Sequence, residues 1–443
     1  MNQLRSWIVP VLAGGLLLLL AAFAVAQGEQ KSYLPIASRS EAPTPTPIPQ
    51  PPTPPPGHMV EFRGLWITRF DWMGGSRPAT PETVDRMVND AANAGFNVLL
   101  FQVRGEADAY YDSDLVPWGK RLPNGLGQAP TPYWDPLAHM ILRAHERGLQ
   151  VHAYINVYPV WLGPVLPSED VSPRHLYYLL GDVHNYTQPE GGPRKNNGLQ
   201  WDSNRNVIAG TEQRPLYLRA SPASEFLDNH LLEVIHELVT NYALDGLHLD
   251  HARYAQSNYS CDPVSEASFG GPCTSPGYGD WQRRQINGTI WKFYQALFAD
   301  PAWTAGRSVP FNLSAAVWPL YESGRNTYYQ DSKAWIQGGY IDTLIPMIYS
   351  SNSAFDATVD DWRAQAKGFH DDRAGRFVFP GLGSNHYDSF AEIAGRIEAS
   401  RSLGTQGHAI FSYGGLAERG YFDDLANGPY ATPAVPPVIG WHP

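Results

Sequence analysis

The sequence predicts an α/β fold, specifically a (β/α)8 TIM barrel. From Glu61 onward, eight short apolar segments alternate with amphipathic segments of helical periodicity. Two connections, Tyr158–Ser221 and Ala252–Gly279, are long and follow the carboxyl ends of predicted strands 3 and 4, where TIM barrels place their functional sites. A doubly wound open sheet is the alternative, which the eight units and the lack of a glycine-rich loop after the first strand disfavour.

Local patterns place the individual elements. Thr80 can cap a helix that has proline at its first position and ends at Gly95, and the other helices follow from apolar faces of period 3.6. The predicted strands are Phe62–Arg69, Asn97–Arg104, Gln150–Val157, Gly246–His251, Pro310–Val317, Ile341–Tyr349, Arg376–Leu382 and Ala409–Tyr413. The predicted helices are Pro81–Gly95, Asp135–Gly148, Ser224–Tyr242, Trp281–Phe298, Thr327–Gln337, Val359–Phe369, Phe390–Ser400 and Leu416–Leu425.

The two ends of the chain differ from the repeating part. Residues 1–26 have one early cation, an apolar run and the small residues Ala24-Val25-Ala26, which predict a signal peptide or, if uncleaved, a membrane tether through residues 6–26. Residues 27–57 are predicted to form a disordered proline-rich linker. The barrel is expected over residues 58–428, followed by a C-terminal tail over 429–443. We therefore expect an exported protein, secreted or anchored to the outer face of the cytoplasmic membrane.

Composition narrows the class of partner. The chain has 32 Lys and Arg against 43 Asp and Glu, a formal net charge of −11, which disfavours nucleic acid as a partner. Its two cysteines, Cys261 and Cys273, lie in one predicted loop, and in an exported chain they favour a local disulfide. No motif in the sequence calls for a cofactor.

The side-chain alternation of the strands predicts polar residues in the interior and the mouth of the barrel. Apolar residues on one face of each strand should cover the helices, so the residues between them should point inward. A purely structural interior would hold branched aliphatic residues. Because buried polar groups need partners, a ligand site is favoured over a network that satisfies itself. The residues predicted to converge are Gln102, Arg104, His152, Tyr154, Asn156, His248, Asp250 and Asn312.

Five segments, in order along the chain, resemble the glycosyl hydrolase-like 10 family of bacterial, mostly exported TIM-barrel proteins. They are F62-R-G-L-W-I-T, F101-Q-V-R-G-E-A-D-A-Y-Y, W134-D-P-L-A with H145-E-R-G-L-Q-V-H-A-Y-I-N, D245-G-L-H-L-D-H-A-R-Y and Y340-I-D-T-L-I-P-M-I-Y. The resemblance implies cleavage of a polysaccharide, and some members are implicated in cutting peptidoglycan glycan strands stripped of their peptides. Arg104, Asp108, Asn156 and Asp250 match the family pattern. His251 and Ala255 depart from it, since the family commonly has Asp or Tyr at the first position and often Pro at the second.

Glycosidic hydrolysis normally uses two carboxyl groups, one that protonates the leaving oxygen and one that acts as nucleophile or activates water. Asp250 is the first candidate, because it ends the fourth strand on the inward face. Glu106 and Asp108 are the candidates for its partner, because they follow the second strand directly. A separation of about 5–5.5 Å would indicate retention of stereochemistry and about 6.5–9.5 Å inversion.

The role of each partner stays open. Glu106 could be the acid, with Tyr110 and Tyr111 as aromatic surroundings, whereas Asp108 could bind sugar hydroxyls or brace Arg104. Asp71 and Glu322 are further carboxyl groups that follow strands. A substrate N-acetyl group could also act as the nucleophile, with Asp250 orienting the acetamide or donating the proton.

Polar and aromatic residues at the strand ends suit a sugar, because pyranose C–H faces stack on aromatic rings while polar groups reach the hydroxyls. The predicted substrate-binding residues are Asp71, Trp72, Arg104, His152, Asn156, His248, Arg253, Tyr254, Trp318 and Tyr349.

Two other functions are compatible with the sequence. One is a carbohydrate-binding barrel without turnover, because no second carboxylate is assured. The other is a metal-dependent polysaccharide hydrolase or deacetylase, because His152, His248 and Asp250 share an inward face and offer nitrogen and oxygen ligands, whereas His251 is expected to point away. The sequence has no HExxH motif, and we predict no metal ligands.

Overall fold

A computed structural model describes residues 54–73, 78–187, 195–207, 216–304, 307, 309–349 and 359–442. The predicted signal or anchor over residues 1–26, and the linker as far as residue 53, lie outside the described residues. Within the ranges given, no helix is both long enough and apolar enough to cross a bilayer.

The central sheet is a closed parallel barrel of eight strands, as predicted. Nine hydrogen-bonded segments form it. The first and the last segment in the order of the sheet are two pieces of one strand, β7, so the sheet closes on itself. The first piece of β7 pairs with β6 and the second with β8. The break spans Pro380, which has no N–H and whose carbonyl accepts from the N–H of Ala409 at 3.1 Å. The strands are β1 Phe62–Ile67, β2 Val98–Arg104, β3 Gln150–Asn156, β4 Gly246–Asp250, β5 Asn312–Val317, β6 Thr343–Pro346, β7 Phe377–Val378 with Gly381–Gly383, and β8 Gly407–Phe411.

The helices surround the barrel and begin where the sequence offers caps. Thr80, Asp135 and Ser224 each accept a backbone N–H in the first turn of the helix that follows. The helix predicted over Thr327–Gln337 is shorter in the structure, where an earlier helix ends at Thr327 and the next covers Ser332–Gln337. The one predicted over Leu416–Leu425 is two short helices. The helices are α1 Arg69–Trp72, α2 Pro81–Ala94, α3 Pro136–Glu146, α4 Leu176–His184, α5 Glu225–Asn241, α6 Pro263–Phe269, α7 Tyr278–Ala299, α8 Tyr321–Thr327, α9 Ser332–Gln337, α10 Val359–Asp371, α11 Phe390–Ser402, α12 Tyr413–Arg419 and α13 Phe422–Asn427, with a 3₁₀ turn at Pro301–Trp303.

The two faces of the strands separate as the alternation predicts. Leu99, Val151 and Leu247 belong to the large core between the barrel and its helices, whereas Leu100 and Tyr154 belong to a separate cluster inside the barrel. Apolar residues fill more of the interior than predicted, because this inner cluster also contains Phe62, Trp66, Val98, Ala316, Ile345, Phe379 and Ala409.

The long loops after β3 and β4 have structure of their own. Strand segments Pro159–Leu162 and Tyr217–Arg219 pair in antiparallel fashion, so the loop after β3 returns to the barrel mouth. A second pair, Tyr186–Thr187 with Lys195–Asn196, lies within the same loop. The loop after β4 contains the disulfide between Cys261 and Cys273.

The segment predicted as a C-terminal tail packs on the barrel through residue 442. Strand segment Ala434–Val435 pairs with Met59–Val60, just before β1. Farther along, Trp441 and His442 both contact Asp342 Oδ1, at 2.6 and 2.8 Å. These contacts place the chain end beside the amino-terminal ends of the strands.

The face assignment makes a stability prediction. Leu247→Ala should lower the free energy of unfolding by about 2–5 kcal/mol, because it leaves a cavity in the core between β4 and the helices. Leu142→Ala is the matched control, since Leu142 is 57% exposed and its loss should cost about 0.5 kcal/mol or less. Urea unfolding monitored by circular dichroism measures both; equal losses would contradict the assignment.

Candidate functional site

A cavity of about 230 Å³ opens at the carboxyl ends of the strands, where TIM barrels bind their ligands. Strand ends and the loops after them supply its walls. The lining residues are Trp66, Thr68, Arg69, Phe70, Gln102, Tyr154, Asn156, Tyr217, Asp250, His251, Arg253, Ala316, Met347, Tyr349 and Phe411.

Asp250 ends β4 and lines this cavity, and both of its carboxylate oxygens are held. The hydroxyl of Tyr154 donates to Oδ2 at 2.9 Å, while Arg253 Nη1 and the backbone N–H of His251 donate to Oδ1, the guanidinium at 3.1 Å. Burial favours the neutral acid, but the contacts with His251 and Arg253 outweigh it and hold the pKa of Asp250 below its usual range. Asp250 is therefore a carboxylate at neutral pH.

His251 also lines the cavity, so the expectation that it points away is wrong. β4 ends at Asp250, and His251 adopts a positive φ of 53°, which breaks the strand alternation. Arg219 Nη2 donates to its Nδ1 at 3.0 Å, while its Nε2 lies 3.9 Å from Asp250 Oδ2. Burial lowers the pKa of His251 well below the usual value, so the neutral ring presents Nε2–H on the Asp250 side.

Arg69, in the short helix α1, is a lining residue that the sequence analysis missed. Its guanidinium donates to Gln102 Oε1 at 3.0 Å, to Glu106 Oε1 at 3.1 Å and to the Tyr217 hydroxyl at 2.7 Å. A Cβ on Gly105 would lie 2.7 Å from the Arg69 guanidinium carbon, so the glycine of the F101-Q-V-R-G-E segment makes room for this group.

Glu106 is buried in ion pairs and does not line the cavity. Arg69 holds Oε1, while Lys120 Nζ at 2.5 Å and the backbone N–H of Leu162 at 2.8 Å hold Oε2. The hydroxyls of the two tyrosines expected around it bind other acids, since Tyr110 donates to Asp108 and Tyr111 to Glu237. Its geometry is that of a residue that organises the loops after β1, β2 and β3.

Asp108 organises the loop after β2 and likewise does not line the cavity. It accepts the backbone N–H groups of Gly105 and Glu106 at 3.1 and 2.8 Å and the Tyr110 hydroxyl at 3.1 Å. Among the lining residues that the structure describes, Asp250 is thus the one carboxylate. Neither of the predicted partners forms a pair with it across the cavity.

Aromatic residues form a second part of the wall. Trp66 and Tyr349 both contact Phe411, with ring centroids 5.9 and 5.4 Å away. Below them, Trp66 donates its indole N–H to His248 Nε2 at 3.0 Å, and His248 Nδ1 lies 2.9 Å from Ser314 Oγ. The predicted residue His248 therefore lies under the cavity and supports it; burial lowers its pKa to about 4.

Three other predicted residues lie at different depths around the cavity. Asn156 lines the cavity and donates from Nδ2 to the Gly105 carbonyl at 2.9 Å. His152 lies deeper inside the barrel, where a Cβ on Gly246 would come within 2.8 Å of its ring. Trp318 stacks on Tyr328 and has the Arg253 guanidinium 5.7 Å from its ring, although it is not part of the cavity wall.

Four predicted residues lie away from the cavity. Asp71 caps α1 and accepts from Ser412 and Gly414, so it ties the loop after β1 to that after β8. Trp72 and Tyr254 are buried in the outer core. The inward placement of Arg104 is wrong, because a bulge between Gln102 and Arg104 shifts the register and its guanidinium instead donates to the backbone carbonyl of Asn156.

In the described part of the chain, no group of three His, Cys, Asp or Glu side chains is arranged to hold a metal ion. Both ring nitrogens of His248 are engaged by Trp66 and Ser314, which leaves none directed at a shared ligand position with Asp250.

Lining residues outside the predicted site set come from loops, from α1 and from strands β1, β5 and β8. Tyr217 is brought to the mouth by antiparallel pairing in the loop after β3, which no local pattern predicted. Gly105, directly after β2, is the one sequence feature related to Arg69. Its meaning is clear only from the structure, in which the Arg69 guanidinium lies over Gly105. The remaining additions are Trp66, Thr68, Phe70, Ala316, Met347 and Phe411.

Comparison with known proteins finds a matching family model and individual relatives that are all named as glycosyl hydrolases or glycosyl hydrolase-like. The family model described as "Glycosyl hydrolase-like 10" matches residues 61–163 and 201–374. The chain is 26% identical to "Glycosyl hydrolase YngK" of Bacillus subtilis over 86% of this chain and 74% of that protein. It is 25% identical to "Glycosyl hydrolase DigH" of Escherichia coli K12, over 65% of this chain and 65% of that one.

Solved structures support the barrel fold. The glycoside hydrolase domain of PgaB (BpsB) from Bordetella bronchiseptica aligns with a TM-score of 0.56 and 12% identity, over 83% of this chain and 98% of that one. Alpha-L-fucosidase isoenzyme 2 from Paenibacillus thiaminolyticus aligns with a TM-score of 0.53 and 16% identity, over 84% and 49%. At these identities the likeness concerns the fold. The family model covers more than half of the chain, and the protein therefore belongs to the glycosyl hydrolase-like 10 family.

Proposed function

We propose that this protein hydrolyses O-glycosidic bonds of an extracellular or cell-wall glycan, with Asp250 as the central carboxylate. The observation that carries the proposal is Asp250, with both carboxyl oxygens accepting hydrogen bonds, in a cavity at the carboxyl ends of the barrel strands that aromatic rings also line. Peptidoglycan glycan strands are the first substrate to test, because the family resemblance implies them.

Asp250 would stabilise the transition state by its charge. Cleavage of the bond between the anomeric carbon and the leaving oxygen develops positive charge on the sugar ring, which a fixed carboxylate favours. Asp250 would act either by bonding to the anomeric carbon or by orienting a substrate N-acetyl group that does so. The leaving oxygen takes a proton from solvent. Water then attacks the anomeric carbon, breaks its bond to Asp250 or to the acetamide oxygen, supplies the new hydroxyl and returns its second proton to solvent, so that one water is consumed per bond cleaved.

A carbohydrate-binding protein without turnover is the second candidate function. It is favoured by one observation: the described cavity wall holds a single carboxylate, whereas most glycosidases use two. Aryl glycosides whose phenol leaving group has a low pKa distinguish the two functions. Such a phenol leaves as the phenolate, so its departure needs no proton donor in the site. Cleavage of these substrates that depends on Asp250 supports hydrolysis, and binding of glycans without any product supports the binding function.

We also propose that the chain is exported, on the basis of residues 1–26 and the proline-rich segment that follows. Expression in a bacterial host followed by mass determination of the membrane and secreted fractions tests this. A mature protein that begins near Gln27 would indicate cleavage, a full-length membrane protein would indicate an anchor, and an unprocessed cytosolic protein would contradict the proposal.

Substitution of the central carboxylate tests the proposed hydrolysis. Asp250→Asn should reduce kcat/KM on a cleaved glycan by at least about a hundredfold, because the amide cannot carry the charge or act as a base. Asp424→Asn, an exposed change on α13, is the matched control and should leave activity intact. Product release is followed by mass spectrometry. Full activity in Asp250→Asn would refute the assignment.

The pH dependence should report the environment of Asp250. Its pKa is held below the usual range, so activity that needs the carboxylate should be lost only as the pH falls through that depressed value. Arg253→Met removes a cation from Oδ1, raises the pKa of Asp250 and should move the acid limb of kcat/KM to higher pH. Arg284→Met, at an exposed position of α7, should leave the limb in place. If Arg253→Met left the acid limb of the kcat/KM profile at the same pH, the ionisation of Asp250 would not be the cause of that limb.

A further inference from the structure

A second pocket, of about 320 Å³, opens at the amino-terminal ends of the barrel strands. It lies between the starts of β1, β3, β5 and β7 on one side and residues 435–439 on the other. Pro54 and Pro55, the first residues that the structure describes, are also part of its wall. TIM barrels place their active sites at the opposite ends of the strands, so this pocket, which we call the basal groove, is separate from the cavity around Asp250.

Three phenylalanine rings from the barrel form an apolar wall of the basal groove. Phe62 stacks on Phe379 with ring centroids 4.4 Å apart, and Phe379 stacks on Phe377 at 5.4 Å. Phe62 and Phe379 are buried whereas Phe377 is half-buried, so the series of rings leads from the barrel interior toward the surface. At the other edge, Val438 is 41% exposed. The groove therefore offers stacked aromatic rings and an accessible aliphatic edge to an occupant.

One polar group in the wall of the basal groove lacks a partner. Asn312, the first residue of β5, is 8% exposed, and its side-chain Oδ1 is buried without a hydrogen-bond partner in the described part of the chain. Because a buried amide oxygen without a donor is costly, an occupant that brings a hydrogen-bond donor would be favoured. Aromatic-lined grooves of this kind bind proline-rich segments in the polyproline-II conformation.

The chain has such a segment directly before the groove. Residues 46–53, which lie outside the described residues, read T-P-I-P-Q-P-P-T. Because Pro54 and Pro55 already line the groove, this segment starts at the groove wall, and its effective concentration there is high. Its prolines restrict the free chain, which lowers the entropy cost of binding, while its threonines, isoleucine and glutamine keep backbone N–H donors. Pro436 and Pro437 in the opposite wall show that proline-containing chain already packs on this face.

We propose that residues 46–53 bind in the basal groove, with proline rings on the phenylalanine wall and a donor of the segment on Asn312 Oδ1. The barrel would then hold the chain that precedes it at the amino-terminal ends of the strands. The cavity around Asp250, at the carboxyl ends, would stay clear of that chain. The inference concerns the attachment of the barrel and does not depend on turnover, so failure of the proposed hydrolysis would leave it standing.

Photo-crosslinking in the full-length chain tests the occupant. With p-benzoylphenylalanine in place of Val438, at the groove edge, irradiation should link position 438 to residues 46–53 of the same chain, as located by tandem mass spectrometry of the digested protein. The same label in place of Leu142, which is 57% exposed on α3, is the matched control and should give no such link. Links from position 438 to another copy of the chain, or none to residues 46–53, would overturn the proposal.

A double-mutant cycle tests the contact with Asn312 by a second measurement. In the natural chain, Asn312→Leu should lower the midpoint of thermal unfolding by roughly 2–4 °C, because the segment loses its acceptor. In a chain whose residues 46–53 are replaced by an equal number of Gly and Ser residues, Asn312→Leu should leave the midpoint unchanged or raise it, because no donor is lost there.

A Gly and Ser replacement of residues 34–41 is the matched control for the cycle, and it should preserve the destabilisation by Asn312→Leu. The cycle keeps the proposal testable if the label at position 438 disturbs the groove. An equal effect of Asn312→Leu with and without the natural residues 46–53 would refute the contact.

Discussion

The charge of Asp250 is the constraint on which the rest of the site depends. A carboxylate this deeply set in a barrel mouth is costly unless each oxygen has donors. Tyr154 from β3, the backbone of His251 and the side chain of Arg253 supply them. The parallel register that pairs Asn156 with Asp250 and Tyr154 with His248 brings these groups together, so the pairing of β3 with β4 and the charge of the carboxylate are linked.

The inward side of the barrel becomes charged only toward the mouth, where the cavity around Asp250 opens. Along β3 the inward residues are His152, then Tyr154, then Asn156. His152 lies deepest, where burial lowers its pKa to about 4 and keeps it neutral. At the next level Trp66, His248 and Ser314 satisfy one another across three strands. Among the described inward-facing strand residues, charge is present only at the last level, where Tyr154 and the residues after β4 donate to Asp250.

The barrel, the strand faces and the inward position of Asp250 could be predicted from the sequence, because hydrophobic periodicity and strand ends are local properties. It placed His251 wrongly, because a single residue with positive φ after a strand ends the alternation on which the prediction relied. It misplaced Arg104 for a related reason, since a bulge in β2 changes the face without changing the pattern. Tyr217 was beyond such reasoning, because antiparallel pairing with a segment nearly sixty residues away brings it to the mouth.

The contacts of Glu106 show that the loops and the strands have different roles in the site. Next to a strand end, Glu106 has the position expected of a catalytic acid, yet two cations and a backbone N–H occupy its oxygens. Those three partners come from the segments after β1, β2 and β3, so Glu106 fixes the relative position of these segments. Removal of its charge would release Arg69 and Lys120 without touching Asp250. The strands therefore hold the candidate catalytic carboxylate, whereas the segments after them, with Glu106 as their common anion, form the wall beside it.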